Sequence, residues 1–93
     1  MALTGRIVAR DTLRYTPAGI PALDLTLEHE SVQREAQLAR TVKAVVDAVA
    51  LGEVARALDA LDMGSTVSVA GFLANRSRRS TRVILHIDEF ETH

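Results

Sequence analysis

Four arginines crowd one short segment of this chain: Arg76, Arg78, Arg79 and Arg82, in the run Asn75-Arg76-Ser77-Arg78-Arg79-Ser80-Thr81-Arg82. They are four of its eleven basic residues, in a stretch without an acid, on a chain of formal net charge −1. The positive charge is therefore local. Guanidinium groups bind phosphate through planar, bidentate hydrogen bonds and stack on flat rings. The interleaved Ser77, Ser80 and Thr81 add hydroxyl donors. A near-neutral chain with such a cluster offers a place to an anion, and nucleic-acid phosphate is the best fit. A solubilising hairpin tip has the same composition, so the cluster alone leaves that reading open. Arg14, ahead of a proline-glycine turn, and Arg34, Arg40 and Lys43, in or near a predicted third strand, extend the basic set. Taken singly, each reads as a solvated charge.

Other side chains with chemical potential point away from catalysis. His29, His86 and His93 have no metal-ligand spacing, and strand positions give His29 and His86 structural or surface roles. Glu28/Glu30 and Glu89/Glu91 are carboxylate pairs at strand spacing; each pair faces one side and reads as a solvated face. No P-loop, dinucleotide-type glycine pattern or G-x-S-x-G elbow occurs. There is no cysteine, hence no disulfide framework or thiolate chemistry. No catalytic residue, metal ligand or cofactor is predicted, and the chain reads as a non-enzyme.

The elements that would position the arginines follow a period of two. Leu23, Leu25, Leu27 and His29 alternate with Asp24, Thr26, Glu28 and Glu30. Leu3, Gly5, Ile7 and Ala9 alternate with Thr4, Arg6, Val8 and Arg10. Val67, Val69, Gly71 and Leu73 do so with Ser68, Ala70, Phe72 and Ala74, and Val83, Leu85 and Ile87 share a face of a strand over 82–90. Residues 35–46 read as a third strand, with Leu38, Arg40, Val42, Ala44 and Val46 on one face, although their alanines also permit a helix. Thr16-Pro17-Ala18-Gly19-Ile20-Pro21 is a turn. Between 52 and 61 the period breaks: Leu51, Val54, Leu58 and Leu61 fall on one helical face, and Gly64 suits the helix end. An irregular loop with one helical turn is the alternative there. The order predicts an all-β fold, a five-stranded OB-fold Greek-key barrel with a short helix between strands three and four. Gly5 and Gly71 suit its bends.

The chain has 93 residues, 47% hydrophobic and 25% charged, which predicts one globular domain over 1–93. No run approaches the roughly 18 apolar residues of a membrane span, so a soluble, cytoplasmic protein without membrane contact is expected. A domain this size buries only about 60% of its unfolded surface, so oligomerisation would help it. Aromatics are scarce: Tyr15, Phe72, Phe90 and no tryptophan. Single-strand binding would then rest on charge, with a log–log salt slope of about −2 to −3 for three or four phosphates.

Thr16-Pro17-Ala18-Gly19-Ile20-Pro21 followed by Leu25-Thr26-Leu27-Glu28-His29-Glu30-Ser31-Val32-Gln33 closely resembles the primosomal replication protein N (PriB) family. Gly64-Ser65-Thr66-Val67-Ser68-Val69-Ala70-Gly71-Phe72-Leu73 and Val83-Ile84-Leu85-His86 are similar to that family's last two strands, a pattern shared with single-stranded-DNA-binding proteins. The chain ends at His93 without the extended polar tail of the general proteins, which favours the PriB family. The resemblance implies an OB-fold homodimer that binds single-stranded DNA in replication restart and assists the PriA helicase, with DnaT a partner where it exists. Ala2-Leu3, Val8 and Val45 are candidates for the two-fold contact. It also implies a DNA surface that includes Arg14, Arg79 and Arg82, with Arg76 and Arg78 as neighbours. The sequence departs from the family pattern at Lys43, where a tryptophan stacks, at Leu38, an aromatic position, and at Glu30, a basic one; the arginine loop is about two residues shorter. Those departures imply more electrostatic DNA binding and a larger share of function through protein contacts. A general single-stranded nucleic-acid binder of the same fold, RNA included, and a module whose basic loop binds an acidic protein surface are the rival readings.

Overall fold

The computed structural model describes residues 1–79 and 81–93, without the side chains of Gln33 and Glu35. Ser80, a hydroxyl of the arginine cluster, lies outside the described residues, as does the Gln33 side chain of the family motif. Alternating apolar and polar residues give β1 (Ala2–Arg10), β2 (Arg14–Tyr15), β3 (Pro21–Glu35), β4 (Leu38–Leu51), β5 (Thr66–Asn75) and β6 (Val83–Thr92), with α1 (Glu53–Asp59) between β4 and β5. β2 is a two-residue addition to the predicted set, inside the loop that follows β1, and it pairs with the start of β3.

Closure comes from β1, which serves two neighbours. Ala2 to Arg6 pair with β5, and Arg6 to Arg10 pair with β3. β3 continues antiparallel into β4, β5 into β6, and β4 meets β6 in a short parallel ladder. The five long strands form the OB-fold barrel that the sequence predicts. Leu23, Leu25 and Leu27 point inward with Ile7, Ala48, Ala50, Val67, Val69, Leu85 and Ile87. α1 adds Ala55 and Leu58 to the same core. Burying a leucine of that kind contributes on the order of 2 kcal/mol.

Several predicted details change for identifiable reasons. α1 is shorter than the segment 52–61: Leu51 closes β4 and is half-exposed, and the helix ends at Asp59 with Ala60 as its cap. Gly64, at φ 90°, serves the following turn, in which Ser65 N–H donates to Asp62 O at 3.1 Å. The third long strand runs Leu38–Leu51 rather than 35–46, and Glu35 belongs to β3. Leu38, Arg40, Val42 and Ala44 are all exposed, because the β3–β4 ribbon outruns the barrel. β1 stops pairing at Glu28, and β6 reaches β4 only at Ala48, Val49 and Ala50.

Two irregularities reset the alternation. One lies between Ile7 and Ala9, so Ala9 faces solvent and Arg10 turns in under the helix. Its guanidinium donates to Leu61 O at 2.6 Å and to Leu58 O at 3.0 Å, the latter also accepting from Leu61 N–H at 3.2 Å, and so supplies donors to carbonyls at the helix end. The other lies opposite the step from Ala70 to Gly71, where β6 carries the extra residue Asp88, so that Phe90 rather than Glu89 packs against the core beside Val69. Leu73 keeps its phase opposite Leu85 but is half-exposed. Gly71 is needed there: a Cβ would stand 1.8 Å from the His86 carbonyl oxygen and 2.8 Å from its carbon.

Candidate nucleic-acid interface

Strand register builds the candidate surface. Asp24 lies opposite Val49, Val49 opposite His86, and His86 opposite Phe72, which makes one row across β3, β4, β6 and β5. Their sequence neighbours Leu23, Leu25, Ala48, Ala50, Leu85 and Ile87 are core residues, so alternation sends this row outward. Beside it lies a second outward pair, Thr26 opposite Asp47.

Two connections bring cations to this face. The loop after β1 delivers Arg14, and the β5–β6 connection delivers Arg76, Arg78, Arg79 and Arg82. A groove of about 470 Å³ passes over Val49 and Ile84, with Arg14, Arg76 and His86 in its walls. An adjoining hollow of about 170 Å³ is lined by Arg76, Arg82, Asp24 and Asp47. Arg76 N–H donates to Arg82 O at 3.0 Å across the base of the β5–β6 connection, fixing where the loop starts and ends. Arg78 and Arg79 are exposed beyond that point.

Neither Arg14 nor Arg82 stands alone. Arg14 Nε donates to Asp24 Oδ2 at 2.9 Å, with Nη2 3.5 Å from Oδ1. Arg82 Nη2 donates to Asp47 Oδ2 at 2.9 Å, and the Thr26 hydroxyl donates to Asp47 Oδ1 at 3.4 Å. The hydrogen bond that Arg14 donates to Asp24, then the Asp24 charge, raises the Arg14 pKa above the ordinary arginine value. Both pairs are largely open to solvent, and such pairs contribute between zero and about 1 kcal/mol. An incoming phosphate would therefore exchange one carboxylate contact for a phosphate contact at each.

The other predicted cations lie on the β3–β4 ribbon and are exposed. Arg34 lies opposite Ala39 and Lys43 opposite Glu30; by the pleat, Arg34 and Lys43 share the face of Asp47 and Val49. Lys43 is four residues from Asp47, roughly 13 Å along the strand. Arg40, opposite Gln33, is on the other face of the ribbon. The structure thus gathers Arg14, Arg76 and Arg82, sets Arg78 and Arg79 beside them, leaves Arg34 and Lys43 farther along the same face, and separates Arg40.

Sequence reasoning missed three parts of this surface. Asp24 and Asp47 were ordinary outer-face residues until register and loop closure put arginines on them. Phe72 and His86 stack, with ring centroids 4.9 Å apart and 4° between planes. That pairing depends on which strand neighbours which, something alternation alone does not reveal. His29 Nδ1 lies 2.7 Å from Thr4 O, a structural contact in keeping with its reading. Among the described residues no group of three or more histidine or carboxylate side chains could hold a metal ion, and no helix is long and apolar enough to cross a membrane.

Comparison with known proteins agrees with the barrel. A family described as "Another single-strand binding protein family" matches residues 1–89. The replication restart protein PriB of Bordetella pertussis is 40% identical over 89 residues, covering 96% of this chain and 83% of that protein. The solved structure of PriB from Ralstonia solanacearum superposes with a TM-score of 0.84 at 34% identity, covering 100% of this chain and 95% of that one. The wild-type single-stranded DNA binding protein from Thermus aquaticus gives 0.81 at 26% identity, covering 99% of this chain and 48% of its own. The chain belongs to the single-strand binding protein family, and within it stands with the PriB replication restart proteins.

Proposed function

We propose that this protein binds single-stranded DNA during replication restart and assists the PriA helicase without catalysing a reaction itself. The observation that carries this reading is the convergence of Arg14, from the loop after β1, and Arg76, from the β5–β6 loop, on the walls of one groove over β4. In OB-folds those two loops and the face of the second and third long strands are where oligonucleotides dock. Arg76, Arg78, Arg79 and Arg82 take phosphates at the loop, Arg14 takes one across the groove, and Lys43 and Arg34 guide the strand along the ribbon. Arg40 meets DNA only where a strand wraps the ribbon's edge. DnaT is a further partner in systems that have it.

The working unit under this proposal is a homodimer. Val8 and Val45 are exposed apolar side chains, and Ala2-Leu3 lies at the open start of β1; a small barrel gains by covering them. Sedimentation as a monomer at micromolar concentration would count against it.

The deciding experiment measures PriA unwinding of a forked substrate with and without this protein, where stimulation is expected. Binding to oligo-dT, oligo-U and duplex at fixed salt separates a DNA-restart role from general nucleic-acid binding; equal RNA affinity favours the latter. Oligo-dT affinity that survives alanine at Arg76, Arg78, Arg79 and Arg82 would move the loop to the acidic-protein reading.

A further inference from the structure

The stacked pair on the outer face has a use that charge does not supply. The row Asp24–Val49–His86–Phe72 crosses four strands, so His86 stands between the flat ring of Phe72 on β5 and the small side chain of Val49 on β4. Phe72 covers one face of the His86 imidazole in near-parallel stacking. His86 and Val49 together line the groove whose walls carry Arg14 and Arg76. A neighbouring hollow of about 180 Å³, lined by Val49, Leu51, Phe72 and His86, continues the same apolar floor. Phe72 is 51% exposed and Leu51 50%, so this floor is open to a ligand rather than covered by the chain itself.

We infer that His86, backed by Phe72, is a base-stacking wall: a nucleobase of a bound single strand lies over Val49 against the free face of His86. The inference rests on the single-strand reading above and gives that site a base-contacting part. The occupant is a nucleobase and not another flat group because the same groove carries cations on its walls at Arg14 and Arg76, which fit a phosphate attached to a stacked ring. A heteroaromatic ring extends an existing two-ring stack without requiring hydrogen bonds, so the contact is indifferent to base identity. It also gives an aromatic-poor chain a stacking position away from Lys43.

The test compares oligo-dT with an abasic tetrahydrofuran oligomer of equal length, by fluorescence anisotropy at several salt concentrations. Wild-type protein is expected to prefer oligo-dT. His86→Ala is expected to weaken oligo-dT binding about 5- to 150-fold, the range for loss of one stacked base, while abasic binding and the salt slope stay as in wild type. Phe72→Leu, which keeps bulk but removes the backing ring, is expected to act in the same direction and less strongly. Wild-type preference that is absent, or that persists in both variants, overturns the inference while leaving phosphate binding intact. Equal losses for both oligomers in both variants also overturn it, since the row would then be structural. A wild-type protein that binds neither oligomer overturns the single-strand reading itself.

Discussion

Asp24 and Asp47 stand where a phosphate would have to enter, each already holding an arginine at 2.9 Å. Replacing Asp47 with Asn keeps its shape and removes the charge that competes for Arg82. Since exposed pairs are worth at most about 1 kcal/mol, Asp47→Asn is expected to tighten oligo-dT binding by up to about fivefold, with a steeper salt dependence. Unchanged or weaker binding in an anisotropy titration would mean that Asp47 positions Arg82 for DNA rather than competing with it. Asp24→Asn is expected to behave alike through Arg14. Because the Arg14 pKa is raised, the contribution of its pair to stability is complete below the ordinary arginine value and is lost only as pH climbs through a still higher one. Arg14 therefore contributes no titration to DNA binding near neutral pH, and a binding profile from pH 6 to 9 checks this. These roles were hidden in the sequence, where Asp24 is ten positions from Arg14 and Asp47 thirty-five from Arg82. The arginine loop itself was plain, because four like charges in eight residues need no fold to be noticed.

At the scale of elements, alternation is readable wherever a strand covers core and fails where pairing is irregular. Leu23, Leu25 and Leu27 follow period two without fault and are buried. Arg10 and Phe90 break it, each just past an irregular register step that moves the following residues of its strand to the other face. Residues 38–44 misled for another reason: their pattern continues on a ribbon with nothing beneath it. Gly71 is the position on which the second irregularity depends most directly. Gly71→Ala pushes a Cβ into the His86 carbonyl at 1.8 Å, and backbone cannot rotate aside as a side chain can. A loss of about 3 kcal/mol or more is expected, at or above the usual range for overpacking, measured as a lower midpoint in urea unfolding. Arg10→Ala tests the contact with α1. It leaves the Leu58 and Leu61 carbonyls without their charged donor and is expected to cost about 1.5–3 kcal/mol, the range for hydrogen bonds to charged groups. A midpoint unchanged from wild type would show that water replaces the guanidinium there.

For the whole molecule, a net charge of −1 means that no long-range field draws in a polyanion. At physiological salt, charges separated by more than about 8 Å are largely screened from each other, so affinity must come from the cations that each phosphate touches. Counterion release then makes the salt slope a count of those contacts, about 0.7 per phosphate on a single strand. Contacts at Arg14 and two or three loop arginines give a slope of about −2 to −3. Replacing Arg76, Arg78, Arg79 and Arg82 by alanine is expected to flatten it to −1 or less, with affinity lost mainly at low salt. The ribbon offers a finer test, because it decides the path of the strand beyond the barrel. Lys43 shares the outer face with the groove, roughly 13 Å from Asp47, about two to three nucleotides of extended single strand farther on. If the strand follows the ribbon, Lys43→Ala lowers the slope magnitude by about 0.7 on a long oligomer and leaves it unchanged on one too short to reach. Equal slopes for wild type and Lys43→Ala on both lengths would mean that the strand leaves at the barrel. The exposed ribbon would then be a surface for a protein partner or a second copy, a choice that sedimentation of the wild-type chain resolves.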